Sequence, residues 1–91
     1  MITLDYQRKI LEHIKNDIDK LLINGKEVEK TVYLEVGKVI VKSVEINGTI
    51  TSIIIKNKDG IVIKENNKTL VIGQNEKISI SETIEVIIDE L

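Results

Sequence analysis

The chain has 91 residues, of which 35 are Ile, Val or Leu, and it contains no Ala, Pro, Cys, Trp or Phe. This length supports at most one domain, and the mixture of 42% apolar and 31% charged residues is typical of globular proteins. The absence of cysteine excludes a disulfide scaffold, a thiolate metal site and a cysteine nucleophile.

Charge and aromatic content argue against nucleic acid as a partner. The formal net charge is −2, Arg8 is the only arginine, and Tyr6 and Tyr33 are the only aromatic residues. Proteins that bind nucleic acid normally carry a basic stripe, with Arg or aromatic side chains that contact phosphates and stack on bases. We therefore expect no nucleic-acid binding.

The sequence also predicts no membrane association. Its apolar runs are at most three residues long, far shorter than a membrane-spanning helix requires. Residues 1–5 lack the basic segment and apolar stretch of a signal peptide. We expect synthesis in the cytoplasm without a signal peptide, followed by a cytoplasmic role or by assembly into a virion or tail-like particle.

The first predicted element is an amphipathic helix from about residue 4 to about residue 23. Apolar residues recur on one face at spacings of seven, three, four and three, namely Leu4, Leu11, Ile14, Ile18 and Leu21. Thr3 is a suitable N-cap, and Asn24-Gly25 supplies a helix stop. The same positions also fit a heptad seam, but it has fewer than three heptads and is too short to form a coiled coil by itself. The helix is therefore expected to pack on its own sheet, and the alternative is that it pairs with copies of itself.

A β-rich region is predicted from about residue 27 to about residue 88. Alternation of apolar and polar residues predicts a strand from Val28 to Val36 and another from Val39 to Ile46. The alternation shifts around Ser43, which indicates either a β-bulge or weak register. Asn47-Gly48 then predicts a type I′ hairpin turn before a strand over residues 49–57.

Three apolar residues in succession, Ile53 to Ile55, predict that the strand over residues 49–57 is buried on both faces and central. Further turns are predicted at residues 58–60, 66–68 and 73–75, with strands at 61–65, 69–72, 78–80 and 84–88. The fold class is therefore α+β in a single domain, residues 1–91. One N-terminal helix precedes an antiparallel meander that forms a small sandwich or curled sheet.

No catalytic, cofactor-binding or metal-binding residue is predicted. His13 is the only histidine, and with Asp17 at i+4 it supplies a fragment of a metal site, so a solvated helix histidine is favoured. The four serines, at positions 43, 52, 79 and 81, alternate with apolar residues and are expected to point outward without an activating base.

The acidic pairs are expected to serve as surface charge, because Asp17 and Asp19 point to different helix faces and Asp89 and Glu90 lie near the end of the given sequence. Two matches to the glycosylation pattern, at Asn47 and Asn67, are better explained as turn residues.

The composition of the predicted strands favours assembly with other subunits. Ile and Val dominate the predicted strands, and Pro, a common blocker of edge strands, is absent. The doubly apolar segment Ile53 to Ile55 adds to the case. We expect a protein of this size with uncapped sheet edges to be completed by neighbouring subunits through strand addition.

The order of elements resembles that of small β-rich proteins encoded among the tail and baseplate genes of phages of Gram-positive bacteria. The residues that carry the resemblance form an Ile-rich strand, an Asp-Gly turn, a second strand and a closing strand: Ile53 to Ile55, Asp59-Gly60, Ile61 to Ile63 and Thr83-Ile84-Glu85-Val86. The chain departs from this pattern at residues 66–68 and 73–75, where it is broken more often. The resemblance covers about residues 50–88 and the helix, and it implies a tail or fibre-attachment component without catalytic residues.

We therefore expect a non-enzymatic structural protein that self-associates or joins neighbouring subunits of a phage tail-like particle. The alternative is a small cytoplasmic regulatory or ligand-binding domain. A small enzyme remains only if a partner chain completes its site.

Overall fold

The computed structural model describes residues 3–85, and it confirms an α+β fold in which one N-terminal helix is followed by antiparallel strands. The helix, α1, spans Leu4–Asp17. Nine strands follow in chain order: β1 Ile18–Ile23, β2 Lys26–Val28, β3 Lys30–Glu35, β4 Lys38–Ser43, β5 Gly48–Ile50, β6 Ile53–Asn57, β7 Val62–Asn66, β8 Leu70–Ile72 and β9 Ser81–Glu85.

Helix α1 begins where the sequence predicts and ends earlier. The Oγ1 atom of Thr3 accepts a hydrogen bond from the backbone N–H of Tyr6 at 3.3 Å, which makes Thr3 the N-cap. Leu11 is buried, and the helix packs on β1, β3 and β4 of its own chain. The prediction that the helix extends to about residue 23 was wrong, because Ile18–Ile23 is the strand β1.

A β-bulge explains why the apolar residues of β1 have the spacing of a helix. Ile18 pairs with Asn57 and Lys20 pairs with Lys56, so Asp19 is an extra residue in the ladder between β1 and β6. The bulge brings Ile18 and Leu21, three residues apart, into the same core. The backbone carbonyl of Asp19 accepts a hydrogen bond from the Nζ atom of Lys30.

The largest sheet has four strands in the order β2-β1-β6-β7. Asn24-Gly25 is the two-residue turn between β1 and β2, with φ of 54° and 80° and with Ile23 opposite Lys26. Positive φ at both central residues is the mark of a type I′ turn, so this pair makes a hairpin and does not end a helix. The turn predicted around Asp59-Gly60 is confirmed, since it joins β6 to β7.

Strand β6 occupies the centre of this sheet, between β1 and β7, as the sequence predicts. Ile53 and Ile55 are buried and Ile54 is half-buried. The predicted strand over residues 49–57 is nevertheless two strands, β5 and β6, which belong to different sheets.

The second sheet has the order β3-β4-β9, and a turn at Val36-Gly37 joins β3 to β4. Val39 and Val41 on β4 are completely buried. Neither explanation of the parity shift at Ser43 holds, because β3 and β4 pair without a shift up to Ser43 and the strand ends there.

The third sheet is the two-stranded pair β5–β8, extended by an isolated bridge between Ile46 and Ile78. The hairpin predicted at Asn47-Gly48 was wrong, because the chain leaves β4 and β5 pairs with the distant β8. Strand β9 covers the start of the last predicted strand, and residues 86–88 of that prediction lie outside the described residues.

One hydrophobic core joins the helix and all three sheets. Its buried members come from α1, from all three sheets and from the segment before β9: Leu11, Ile18, Leu21, Ile23, Val39, Val41, Ile50, Ile53, Ile55, Ile72 and Ile80. Every described strand pair is antiparallel, while three pairs, β1–β6, β4–β9 and β5–β8, connect strands that are distant in sequence. The strand order is thus less sequential than that of a simple meander.

Candidate interaction site

A groove lies between the N-terminal half of α1 and the tip of the β3–β4 hairpin. Its volume is about 320 Å³. Residues of the helix form one wall and residues of the hairpin form the other: Leu4, Gln7, Arg8, Leu11, Leu34, Glu35, Val36 and Gly37. We call this feature the helix–hairpin groove.

The helical repeat determines which side chains of α1 line the groove. Leu4 and Leu11 are seven residues apart, so they lie on the same face of α1 above the hairpin. Leu11 is buried, whereas Leu4 is 63% exposed at the open end. A Cβ atom placed on Gly37 would lie 4.0 Å from Nε2 of Gln7, so the side chain of Gln7 reaches the hairpin turn.

Val36, on the hairpin wall of the groove, is the most exposed large apolar residue of the described part of the chain, at 91%. It occupies a two-residue turn, where Gly, Asn, Asp, Ser and Pro are the residues that turn geometry favours. Neither the turn nor the core of the subunit therefore accounts for a valine at this position.

The rim of the groove carries both signs of charge. Arg8 lies on the helix wall and Glu35 lies on the hairpin wall. The Oε2 atom of Glu35 is 3.5 Å from the Nζ atom of Lys38, and both side chains are partly exposed. An exposed pair of this kind contributes little to stability.

A second polar cluster joins β7 to β9 and has a structural role. Nζ of Lys64 is 3.1 Å from a carboxylate oxygen of Glu82 and donates to the carbonyl of Thr83 at 2.7 Å. Nδ2 of Asn66 donates to the other carboxylate oxygen of Glu82 at 2.9 Å. The buried Glu82 carboxylate is thus satisfied by two partners, and the cluster bridges the edges of two sheets.

The histidine and the first acidic pair that the sequence offered as site candidates lie on α1 and at the start of β1. His13 is exposed on α1, as expected for a solvated histidine. Asp17 accepts a hydrogen bond from Nδ2 of Asn57 at 3.2 Å, whereas Asp19 lies in the bulge of β1. Asp89 and Glu90 lie outside the described residues.

The prediction that all four serines point outward was wrong for Ser43. Its side chain is buried, its Oγ atom accepts from the N–H of Ile80 at 2.8 Å, and it donates to the carbonyl of Val44 at 2.9 Å. Ser43 therefore anchors the segment before β9 to the end of β4. Ser81 is exposed on β9, and Ser52 and Ser79 are half-buried.

Residues 3–85 contain no group of three or more His, Cys, Asp or Glu side chains arranged to hold a metal ion. Among the helices of that same range, none is long and apolar enough to cross a membrane.

Comparison with known proteins identifies no relative of this chain. No protein-family model matches the chain, and neither the curated proteins nor the solved structures contain a significant match.

The sequence did not single out the helix–hairpin groove. Val36 was assigned to the end of a strand, and Leu4 was assigned to the core-facing stripe of the helix. The available signal was the position of Val36 directly before Gly37, since a two-residue turn between strands places its first residue at the tip.

Proposed function

We propose that this protein is a non-enzymatic structural subunit that associates with copies of itself, as a component of a phage tail-like assembly. The observation that carries the proposal is the exposure of Val36 on the wall of the apolar helix–hairpin groove. Exposed apolar side chains next to an apolar depression are typical of surfaces that other proteins cover.

The groove, with the exposed Val36 on its hairpin wall, suits a twofold symmetric contact. In such a contact the same patch of two subunits meets itself, so Val36 of each copy enters the groove of the other. The charges fit this arrangement, because Arg8 of one copy would face Glu35 of the second copy, and the reverse pair would form on the other side of the axis.

Sheet edges offer further surfaces for assembly. The outer edges of β2 and β7 have no strand partner within residues 3–85, and the same holds for the outer edges of β3 and β9. Unpaired edges bind added strands through main-chain hydrogen bonds. Self-association through the groove leaves these edges available for neighbouring subunits of a particle.

Sedimentation velocity over a range of concentrations tests the proposal with a matched pair of variants. Val36→Asp places a charge in the contact, whereas Val71→Asp makes the same change at a valine of β8 that is 72% exposed and does not line the groove. We expect the wild type and Val71→Asp to form dimers as concentration rises, and Val36→Asp to remain a monomer. A wild type that stays monomeric throughout, or equal loss in both variants, would refute the proposed contact.

The particle role has a separate test in the genomic neighbourhood. Sheath, tube or fibre genes beside the coding sequence are the expected result. Metabolic or regulatory neighbours would contradict a role in a tail-like particle while leaving self-association intact.

A small ligand-binding domain is the second candidate, and the volume of the groove favours it. About 320 Å³ lies within the size range of pockets that hold small apolar ligands. Titration with an apolar fluorescent dye separates the two candidates. Dye binding by a protein that remains monomeric supports a ligand site, whereas loss of dye binding as dimers form supports self-association.

A further inference from the structure

The chain contains two Asn-Gly pairs, Asn24-Gly25 and Asn47-Gly48, which the fold holds in very different ways. Asn-Gly is chemically labile because glycine has no Cβ, so its backbone nitrogen approaches the preceding side chain without steric hindrance. The reactivity of each pair then depends on how firmly the Asn side chain is held.

The side chain of Asn24 is held by four hydrogen bonds. Its Oδ1 atom accepts from the backbone N–H of Thr51 at 2.8 Å, from the Thr51 hydroxyl at 3.0 Å and from the N–H of Ser52 at 3.4 Å. Its Nδ2 atom donates to the carbonyl of Thr49 at 2.8 Å. These bonds direct the amide toward the connection between β5 and β6, so they must break before the amide can turn toward the nitrogen of Gly25.

Asn47 is held much more weakly. Within the part of the chain that the structure describes, its side chain makes one hydrogen bond, from Nδ2 to the carbonyl of Gln74 at 3.3 Å. Asn47 is exposed and lies outside any strand, between the bridging Ile46 and the start of β5. The two glycines do not differ in this way, because Gly48 and Gly25 have φ of +98° and +80° and neither has an atom within 4 Å of the position of a Cβ. The difference between the pairs therefore lies in how the Asn side chains are held.

We infer that Asn47-Gly48 is a site of spontaneous deamidation and that the fold protects Asn24-Gly25 from the same reaction. The nitrogen of Gly48 attacks Cγ of Asn47, a carbon–nitrogen bond forms, and the bond from Cγ to Nδ2 breaks. Ammonia leaves with the proton from the Gly48 amide, and a cyclic imide remains. Water then opens the imide at either carbonyl and gives aspartate or isoaspartate, so water is the only co-reactant.

The product changes the third sheet. Either product places a carboxylate where the Asn47 amide donates to the carbonyl of Gln74, which replaces a hydrogen bond with repulsion between two acceptors. Isoaspartate also adds a main-chain carbon between the Ile46–Ile78 bridge and the first residue of β5. Deamidation is thus expected to loosen the pairing of β5 with β8, and this inference is independent of the proposed function.

Peptide mapping of the full chain tests the inference, because tryptic cleavage places the two pairs on separate peptides, residues 21–26 and residues 43–56. The folded protein is incubated in mildly alkaline buffer, and the rise of one mass unit in each peptide is followed over time. We expect deamidation at Asn47 to be at least about tenfold faster than at Asn24, since three more hydrogen bonds restrain Asn24.

The same chain unfolded in urea is the control. There the two rates should converge, because both pairs have the same reacting groups and neither is held by the fold. Equal rates in the folded protein, faster reaction at Asn24, or a preference for Asn47 that persists undiminished in urea would each overturn the inference.

Discussion

Asn24 has two structural roles, one of its backbone and one of its side chain. Its left-handed backbone forms the β1–β2 turn, and its side chain ties that turn to the connection between β5 and β6. The dipeptide Asn-Gly indicates a turn wherever it occurs. The partners of the side chain lie 25 to 28 positions away, so the local sequence gave no sign of them.

Replacing Asn24 should destabilise the protein far more than replacing Asn47, although both precede glycine. We expect Asn24→Ala to lower the free energy of unfolding by about 2 kcal/mol, because it removes four hydrogen bonds and a residue that tolerates the left-handed conformation. Asn47→Ala loses one long hydrogen bond and should cost less than about 0.5 kcal/mol. Urea denaturation followed by circular dichroism measures both, and equal costs would contradict the assigned role.

At the scale of elements, the sequence predicted those features that depend on local chemistry. The N-cap at Thr3, the turn at Asp59-Gly60 and the central position of Ile53 to Ile55 are confirmed. The boundary between α1 and β1 was missed, because the bulge at Asp19 gives a strand the apolar spacing of a helix. The pairing of β1 with β6 and of β5 with β8 depends on contacts distant in sequence, which residue alternation does not encode.

Leu11 is the one residue of α1 that is buried, and the attachment of the helix is expected to depend strongly on it. Leu11→Ala should lower the free energy of unfolding by about 2 to 4 kcal/mol, because it leaves a cavity where α1 meets the core. Leu4→Ala, on the same face of the helix, should cost less than about 1 kcal/mol in the monomer, since Leu4 is largely exposed. Chemical denaturation of dilute protein measures both, and similar costs would show that the helix is attached differently.

At the scale of the whole molecule, the structure is elongated. Its dimensions are 48 × 25 × 23 Å, and its radius of gyration of 14.6 Å exceeds the value of about 12 Å typical of a compact domain of this length. The groove also belongs to this scale, because it needs the helix and the hairpin together. No single segment of the sequence contains both walls, so residue patterns could not locate the groove, and assembly itself stays a prediction.

The central claim is that the helix–hairpin groove meets a second copy of itself, and mixing two charge-reversal variants tests it most directly. Arg8→Glu and Glu35→Arg should each impair dimer formation, because each places like charges opposite one another on both sides of the twofold axis. An equal mixture restores both pairs, since Glu at position 8 of one chain faces Arg at position 35 of the other. Damage to folding in either variant would not be repaired by mixing.

The measurement is the molecular mass of each variant and of the mixture by light scattering after size-exclusion chromatography. We predict a mass near the 10.3 kDa of one chain for each variant alone and a mass near twice that value for the mixture. A mixture that remains monomeric, or single variants that dimerise as well as the wild type, would contradict the twofold contact.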